Sequence, residues 1–218
     1  MLPNITGGAN WQGGSFDPET KMFYIFSNTN VSTIGLVSGD ARSDMLYVLK
    51  VARDPNKPAP TPGAAPGGDA GGGGDGLSVQ GLPLVKPPYG RITAIDLNKG
   101  ELVWQIAHGE TPDNIKKHPA LKGLTIPRTG RQGRIGVLTT KTLVIAGEGG
   151  FFTAPNGQRG AMLRAYNKST GQEVGAVYMP APQTGSPMTY SVNGTQYITV
   201  SIGGPGYAAE LLVFKLES

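Results

Sequence analysis

The chain contains no cysteine, which excludes disulfides, thiolate metal sites and cysteine nucleophiles and leaves the redox compartment open. Histidine is nearly as scarce. Only His108 and His118 occur, neither has a carboxylate at metal-ligand spacing, and both are expected at the surface. Charged residues make up 16% and the formal net charge is +4. The basic residues gather at 116–134 without interleaved aromatics, so this stretch reads as a solvated loop and nucleic acid is not an expected partner. No apolar run reaches the ~20 residues of a membrane-spanning helix. No signal peptide is visible either, because Met1 is followed at once by Pro3, Asn4 and two glycines. The chain opens in the middle of a pattern, so a truncated beginning is expected.

What is abundant is glycine (34 residues) and proline (18), a composition that favours many short strands joined by turns. A length of 218 residues suits one all-β domain. The organising stretch is 94–104, AIDLNKGELVW, in which two alternating apolar runs flank a Leu-Asn-Lys-Gly turn. Alternation on both sides of a glycine-containing turn predicts a β-hairpin. A blurred copy, RAYNKSTGQEVGAVYM, occupies 164–179, and a recurring hairpin points to a repeat architecture.

Along the chain, strands are expected at 10–16, 22–26, 44–51, 91–97, 102–107, 135–140, 142–147, 162–167, 173–179, 188–191, 196–202 and 211–216. Asn193-Gly194 is the strongest hairpin-turn signal among them. Pro112, Pro119 and Pro127 break any helix begun at 114–121. From about 53 to 88 the composition turns to PAPTPGAAPGGDAGGGGDG and its flanks, with almost no large apolar residue to offset ordering entropy. This excursion is expected to be a disordered surface insertion within one domain spanning 1–218.

Taken in fours, the strands form units of inner-to-outer order A to D. The first is 10–16, 22–26, 91–97 and 102–107; the second starts its strands at Ile135, Thr142, Met162 and Glu173; the third has only A, B and C. Radially repeated four-stranded sheets are β-propeller blades, and a propeller needs at least ~4 of them. The expectation is therefore about three C-terminal blades of a larger propeller, with a two-sheet sandwich as the alternative.

Three stretches carry a family likeness: PPYGRITAIDLNKGELVW, GSPMTYSVNGTQYITVSIGG and the opening GGANWQGGSFDP. Together they resemble the pyrroloquinoline-quinone-dependent dehydrogenases, nearest the glucose dehydrogenase branch. The resemblance implies an eight-bladed propeller with tryptophan-docking repeats, in which Trp104 packs against a neighbouring blade. In the second copy Asn167 and Gly175 stand where Asp96 and Trp104 stand in the first, so that interface is expected to be less regular. The likeness further implies the quinone cofactor with Ca²⁺ beside it and oxidation of sugar or alcohol hydroxyls. Electrons would pass to a quinone or a cytochrome, in the periplasm and with inner-membrane attachment through an absent N-terminal region.

The resemblance places Asn10 of GGANW against the cofactor, where an amide can donate to a quinone carbonyl or carboxylate without adding charge. Trp11 joins it as a candidate lining residue, although alternation turns it away from Asn10 and toward packing. The loop 128–136, PRTGRQGRIG, offers Arg128, Arg131 and Arg134 to the cofactor's carboxylates, and Arg134, nearest the inner strand, is the chosen one. Glu148 in GEGG is read as a solvated loop end rather than a group at the funnel mouth, and Asp17 as a scaffold turn. Catalytic base, cation ligands and aromatic floor are expected in N-terminal blades upstream, which would leave this piece inactive alone. Two rivals remain: a non-enzymatic scaffold of the outer-membrane assembly lipoprotein type, which has no chemical reason to keep GGANW, and a degenerate fragment.

Overall fold

The structure, a computed structural model, describes residues 1–3, 7–39, 44–50, 77–154 and 156–216. Strand β1 (Gly14–Asp17) pairs antiparallel with β2 (Met22–Asn28), whose apolar run MFYIF puts Tyr24 and Phe26 in the core. The turn between them is built by Asp17, whose carboxylate accepts from the Glu19 N–H at 3.0 Å and the Thr20 hydroxyl at 2.6 Å. Strand β1 starts later than the expected 10–16, because Asn10–Gly13 is spent on a turn closed by Gly13 N–H to Asn10 O at 2.9 Å.

Two small antiparallel strand pairs lie between β2 and the next strand of this sheet: β3 (Gly35–Ser38) with β4 (Tyr47–Lys50), and β5 (Ser78–Val79) with β6 (Leu82–Pro83). The strand expected at 44–51 is β4, and β3 is a partner the sequence pattern did not reveal. Of the excursion expected at 53–88, residues 53–76 lie outside the described residues. Strand β7 (Gly90–Asp96) then returns to β2, from Met22 opposite Asp96 to Asn28 opposite Gly90, and β8 (Glu101–Ala107) completes the sheet in the order β1-β2-β7-β8. The prolines leave only a four-residue helix, α1 (Asp113–Lys116), and one 3-10 turn (Pro119–Leu121) before the next sheet. Among the described residues no helix is long and apolar enough to cross a membrane.

The second sheet runs β9 (Leu138–Thr139), β10 (Leu143–Gly147), β12 (Arg159–Asn167) and β13 (Glu173–Met179), with β11 (Phe152–Thr153) added to the start of β12. Of the strand expected at 135–140 only β9 is laddered; Ile135 and Val137 instead bury themselves against the first sheet. The third sheet is β14 (Met188–Val192), β15 (Thr195–Gly204) and β16 (Tyr207–Lys215), turning at Asn193-Gly194.

The sheets stack face to face. Alternation along β10 sends Val144 and Ala146 into a core with Tyr24, Phe26, Ile92, Ala94 and Trp104, and Ile145 into a second core with Met179, Ile198, Val200 and Ile202. The middle sheet is thus covered on both faces, which a two-sheet sandwich does not provide. Trp104 closes the first interface. Its indole N–H donates to the Lys168 carbonyl at 3.0 Å, the Tyr24 hydroxyl donates to the same oxygen at 3.1 Å, and the ring lies against Gly171. Gly171 has φ +73° and a Cβ there would sit 2.8 Å from the indole, so both backbone and packing require glycine. Gly175, in the place corresponding to Trp104, is exposed to open space.

Because every neighbouring pair of strands is antiparallel, the A–B and C–D turns share one end of the stack. The B–C and D–A segments share the other, here called the loop end. Asn10, the loop 128–136, Glu148 and Gln183 all belong to the loop end.

Candidate functional site

Three inner-strand entrances meet at the loop end. In the first sheet, Asn10 holds its turn through Oδ1, which accepts the Trp11 N–H at 2.7 Å; among the described residues its Nδ2 has no partner. Trp11 does not pack as expected, since its indole is 98% exposed on the tip of this turn. The Gln12 carbonyl accepts the Ser186 hydroxyl of the third sheet's entrance at 3.3 Å, and Gln12 Oε1 is buried without a partner. Ser186 in turn lies against Gly136 of the second entrance, so closely that a Cβ on Gly136 would collide with it. The Asn10–Trp11 turn and the Arg134 segment are therefore brought to one junction.

The three arginines of the loop 128–136 divide clearly. Arg134 is exposed. Arg131 is the inward one: it is buried, donates to the Phe151 carbonyl at 2.9 Å and lies 5.2 Å from the Phe152 ring centre. Arg128 bonds Glu110 at 3.2 Å and Glu173 at 2.5 Å.

Two expectations are corrected here. His108 is not at the surface; it is wholly buried, with Nδ1 2.8 Å from the Tyr166 hydroxyl and Nε2 3.0 Å from the Gly147 carbonyl. The carbonyl can only accept, so Nε2 carries the proton and Tyr166 donates to Nδ1. Burial, with the nearby Arg164 and Arg128 cations adding to it, pushes His108 down to about 4, so the ring is neutral. Glu148 is likewise no solvated loop end. It is fully buried, and its Oε1 accepts from Arg164 Nε at 2.6 Å and from the Glu110 N–H at 3.1 Å.

Arg164 spends its other nitrogens on Glu173 at 2.9 Å and Glu110 at 3.0 Å, while Lys116 reaches Glu110 at 3.0 Å. Three carboxylates thus face Arg164, Arg128 and Lys116, with the buried Arg131 also acting on Glu148, and this pairing compensates the burial of Arg164 and Glu148. Burial still pushes the Glu148 carboxyl up, against the pull of Arg164. Asp17 does serve the scaffold, and it also reaches the second sheet: Lys168 Nζ lies 2.6 Å from its Oδ2.

Two buried amides tie the entrances together. Asn28 exchanges both hydrogen bonds with Gly133, at 2.8 and 2.9 Å. Gln183 donates to the Gly136 carbonyl at 2.8 Å and the Gly185 carbonyl at 2.6 Å, while its Oε1 takes the Gly147 N–H at 2.5 Å. The sequence reading picked out neither amide.

The junction presents the exposed Trp11 indole, the Asn10 amide, the exposed Arg134 guanidinium and the buried Gln12 Oε1, which has no partner among the described residues. Among the described residues no group of His, Asp and Glu could hold a metal ion.

Comparison with known proteins shows the family. Residues 1–198 match the family described as glucose/ethanol/alcohol dehydrogenase, β-propeller domain, of the PQQ type. The glycerol dehydrogenase large subunit of Gluconobacter thailandicus is 31% identical over 93% of this chain and 27% of its own length. Quinoprotein glucose dehydrogenase of Escherichia coli is 36% identical over 60% of this chain and 15% of its own length. Among solved structures, a quinohemoprotein alcohol dehydrogenase from Pseudomonas putida superposes with a TM-score of 0.54 at 20% identity, covering 93% of this chain and 23% of that one. This last likeness shows the propeller fold. The chain spans about a quarter of the length of the first curated relatives it matches.

Proposed function

Because this chain belongs to the β-propeller family of the PQQ-dependent glucose/ethanol/alcohol dehydrogenases, we propose that it supplies part of the cofactor face of a quinoprotein oxidoreductase. The enzyme oxidises the CH–OH group of a sugar, alcohol or cyclic polyol and passes the electrons to a quinone or a cytochrome in the bacterial periplasm, at the inner membrane. Further blades, N-terminal to these, complete the ring and carry the Ca²⁺ ligands and the base. Hydride acceptance from the substrate carbon is the chemistry the quinone supplies when bound.

This chain's own residues bind and orient. Asn10 donates its free Nδ2 to a cofactor carbonyl or carboxylate, Arg134 pairs with a carboxylate, and the exposed Trp11 indole covers part of the flat ring. The Glu148–Arg164 pair and the neutral His108 lie behind this surface and hold the loop end in shape. None of these is proposed as a proton acceptor.

The observation that carries the reading is the meeting of the Asn10 turn and the Arg134 segment at Ser186, within the stretch that matches the family. The test uses the full-length protein that carries these blades, reconstituted with pyrroloquinoline quinone and Ca²⁺. Reduction of an artificial dye with at least one of glucose, glycerol, quinate or ethanol is expected. No reduction with any of a broad panel of sugars, alcohols and cyclic polyols, despite bound quinone, would refute it.

A further inference from the structure

The residues between α1 and β9 that carry Arg134 are not held by a strand ladder. Residues 128–137 form no strand, yet Gly133 sits in one defined place. Asn28, the last residue of β2 and only 8% exposed, places it there. Asn28 Nδ2 donates to the Gly133 carbonyl at 2.8 Å and Oδ1 accepts the Gly133 N–H at 2.9 Å, so one amide side chain imitates the paired bonds of a neighbouring strand. From the other side Gly149 closes in, and a Cβ on Gly133 would stand 2.9 Å from the Gly149 Cα. Gly133 is gripped between the two. The next residue, Arg134, remains exposed, and the one after, Ile135, is buried in the first core. Arg134 is therefore the single long side chain presented between two fixed points.

We propose that Asn28 is a positioning residue of the cofactor site, setting the Gly133 peptide so that Arg134 reaches a cofactor carboxylate from a fixed origin. The inference rests on the assignment of Arg134 above and goes beyond it, because Asn28 is buried, spends both groups of its amide on Gly133 and acts through Arg134. A bidentate guanidinium–carboxylate contact is sensitive to where its stem begins, and a loose stem has to be ordered at the moment of binding.

The test is a double-mutant cycle on quinone affinity, measured by fluorescence quenching in the full-length apoprotein with Ca²⁺ present, alongside limited proteolysis to follow folding. Arg134→Ala is expected to weaken binding by about tenfold or more. Asn28→Ala is expected to weaken it roughly fivefold when Arg134 is present and less than about twofold in the Arg134→Ala background. Asn28→Gln, which keeps both amide groups on a stem one methylene longer and so displaces the two bonds rather than deleting them, gives the same pattern at smaller amplitude and serves if Asn28→Ala does not fold. Equal losses in both backgrounds, or no loss with Arg134 present, would overturn the positioning role while leaving Arg134 in place. No effect of Arg134→Ala would remove the premise and overturn both.

Discussion

Removing Trp104 tests whether the first two sheets depend on a docked indole. The ring is 9% exposed, stacks on Gly171, lies 5.7 Å from the Tyr24 ring centre and donates to Lys168 O at 3.0 Å. A tryptophan buries roughly 200 Å², which at about 25 cal/mol per Å² amounts to ~5 kcal/mol, reduced by the compactness of the unfolded chain. The hydrogen bond contributes about 1 kcal/mol, and Lys168 O keeps its bond from Tyr24, so no carbonyl is orphaned. Trp104→Ala should therefore cost about 3–5 kcal/mol. Gly171→Ala should cost about 1–3 kcal/mol alone, because a methyl group meets the indole and the backbone has a left-handed φ. The two effects should not add, since Trp104→Ala leaves the new methyl group free of the ring. Urea unfolding followed by circular dichroism measures all three variants. A loss below about 1 kcal/mol for Trp104→Ala, or full additivity in the double variant, would refute the docking role.

Two further predictions concern acid. The hydrogen bond from Lys168 and then that from Thr20 hold Asp17 down, from 3.8 to about 2. Its contribution, about 1–2 kcal/mol for this buried pair, is present above pH 3.8 and lost as the pH falls through about 2. The stability gap between the parent and Asp17→Asn, measured by urea unfolding, should shrink from pH 5 to pH 2, and a constant gap would contradict the pairing. His108 acts in the same direction at higher pH. Its folded value near 4 lies below the unfolded ~6.5, so the unfolded chain takes up the proton first and stability falls from pH 6.5 to 4, by up to about 3 kcal/mol. His108→Gln should flatten that slope, and an unchanged slope would mean the ring is not buried neutral.

Much of this fold is written in short-range pattern. Strand β13 lies where alternation puts it, and Asn193-Gly194 turns the last hairpin, because pairing and turn chemistry act over a few residues. What was not legible depends on partners far apart in the chain. Glu148 looks like a loop end until Arg164 and the Glu110 N–H, 38 residues away, reach it. His108 looks like surface until Tyr166 and Gly147 enclose it. A signal did exist in Arg164, a lone charge between Leu163 and Ala165 in an apolar run, since such a charge is buried only when paired. Arg131 and Arg134 were indistinguishable in PRTGRQGRIG because no strand fixes alternation there. The inward choice is made by Phe151 and the outward one by the grip of Asn28 on Gly133.

The most direct measurement of the central claim is a quinone titration of the full-length apoprotein and of its Asn10→Ala form, with Ca²⁺ present. The parent should bind pyrroloquinoline quinone saturably, and Asn10→Ala should bind it about 1–3 kcal/mol more weakly through loss of one buried hydrogen bond. Failure of the parent to bind, or equal affinity in the two forms, would contradict the assignment of this loop end to the cofactor.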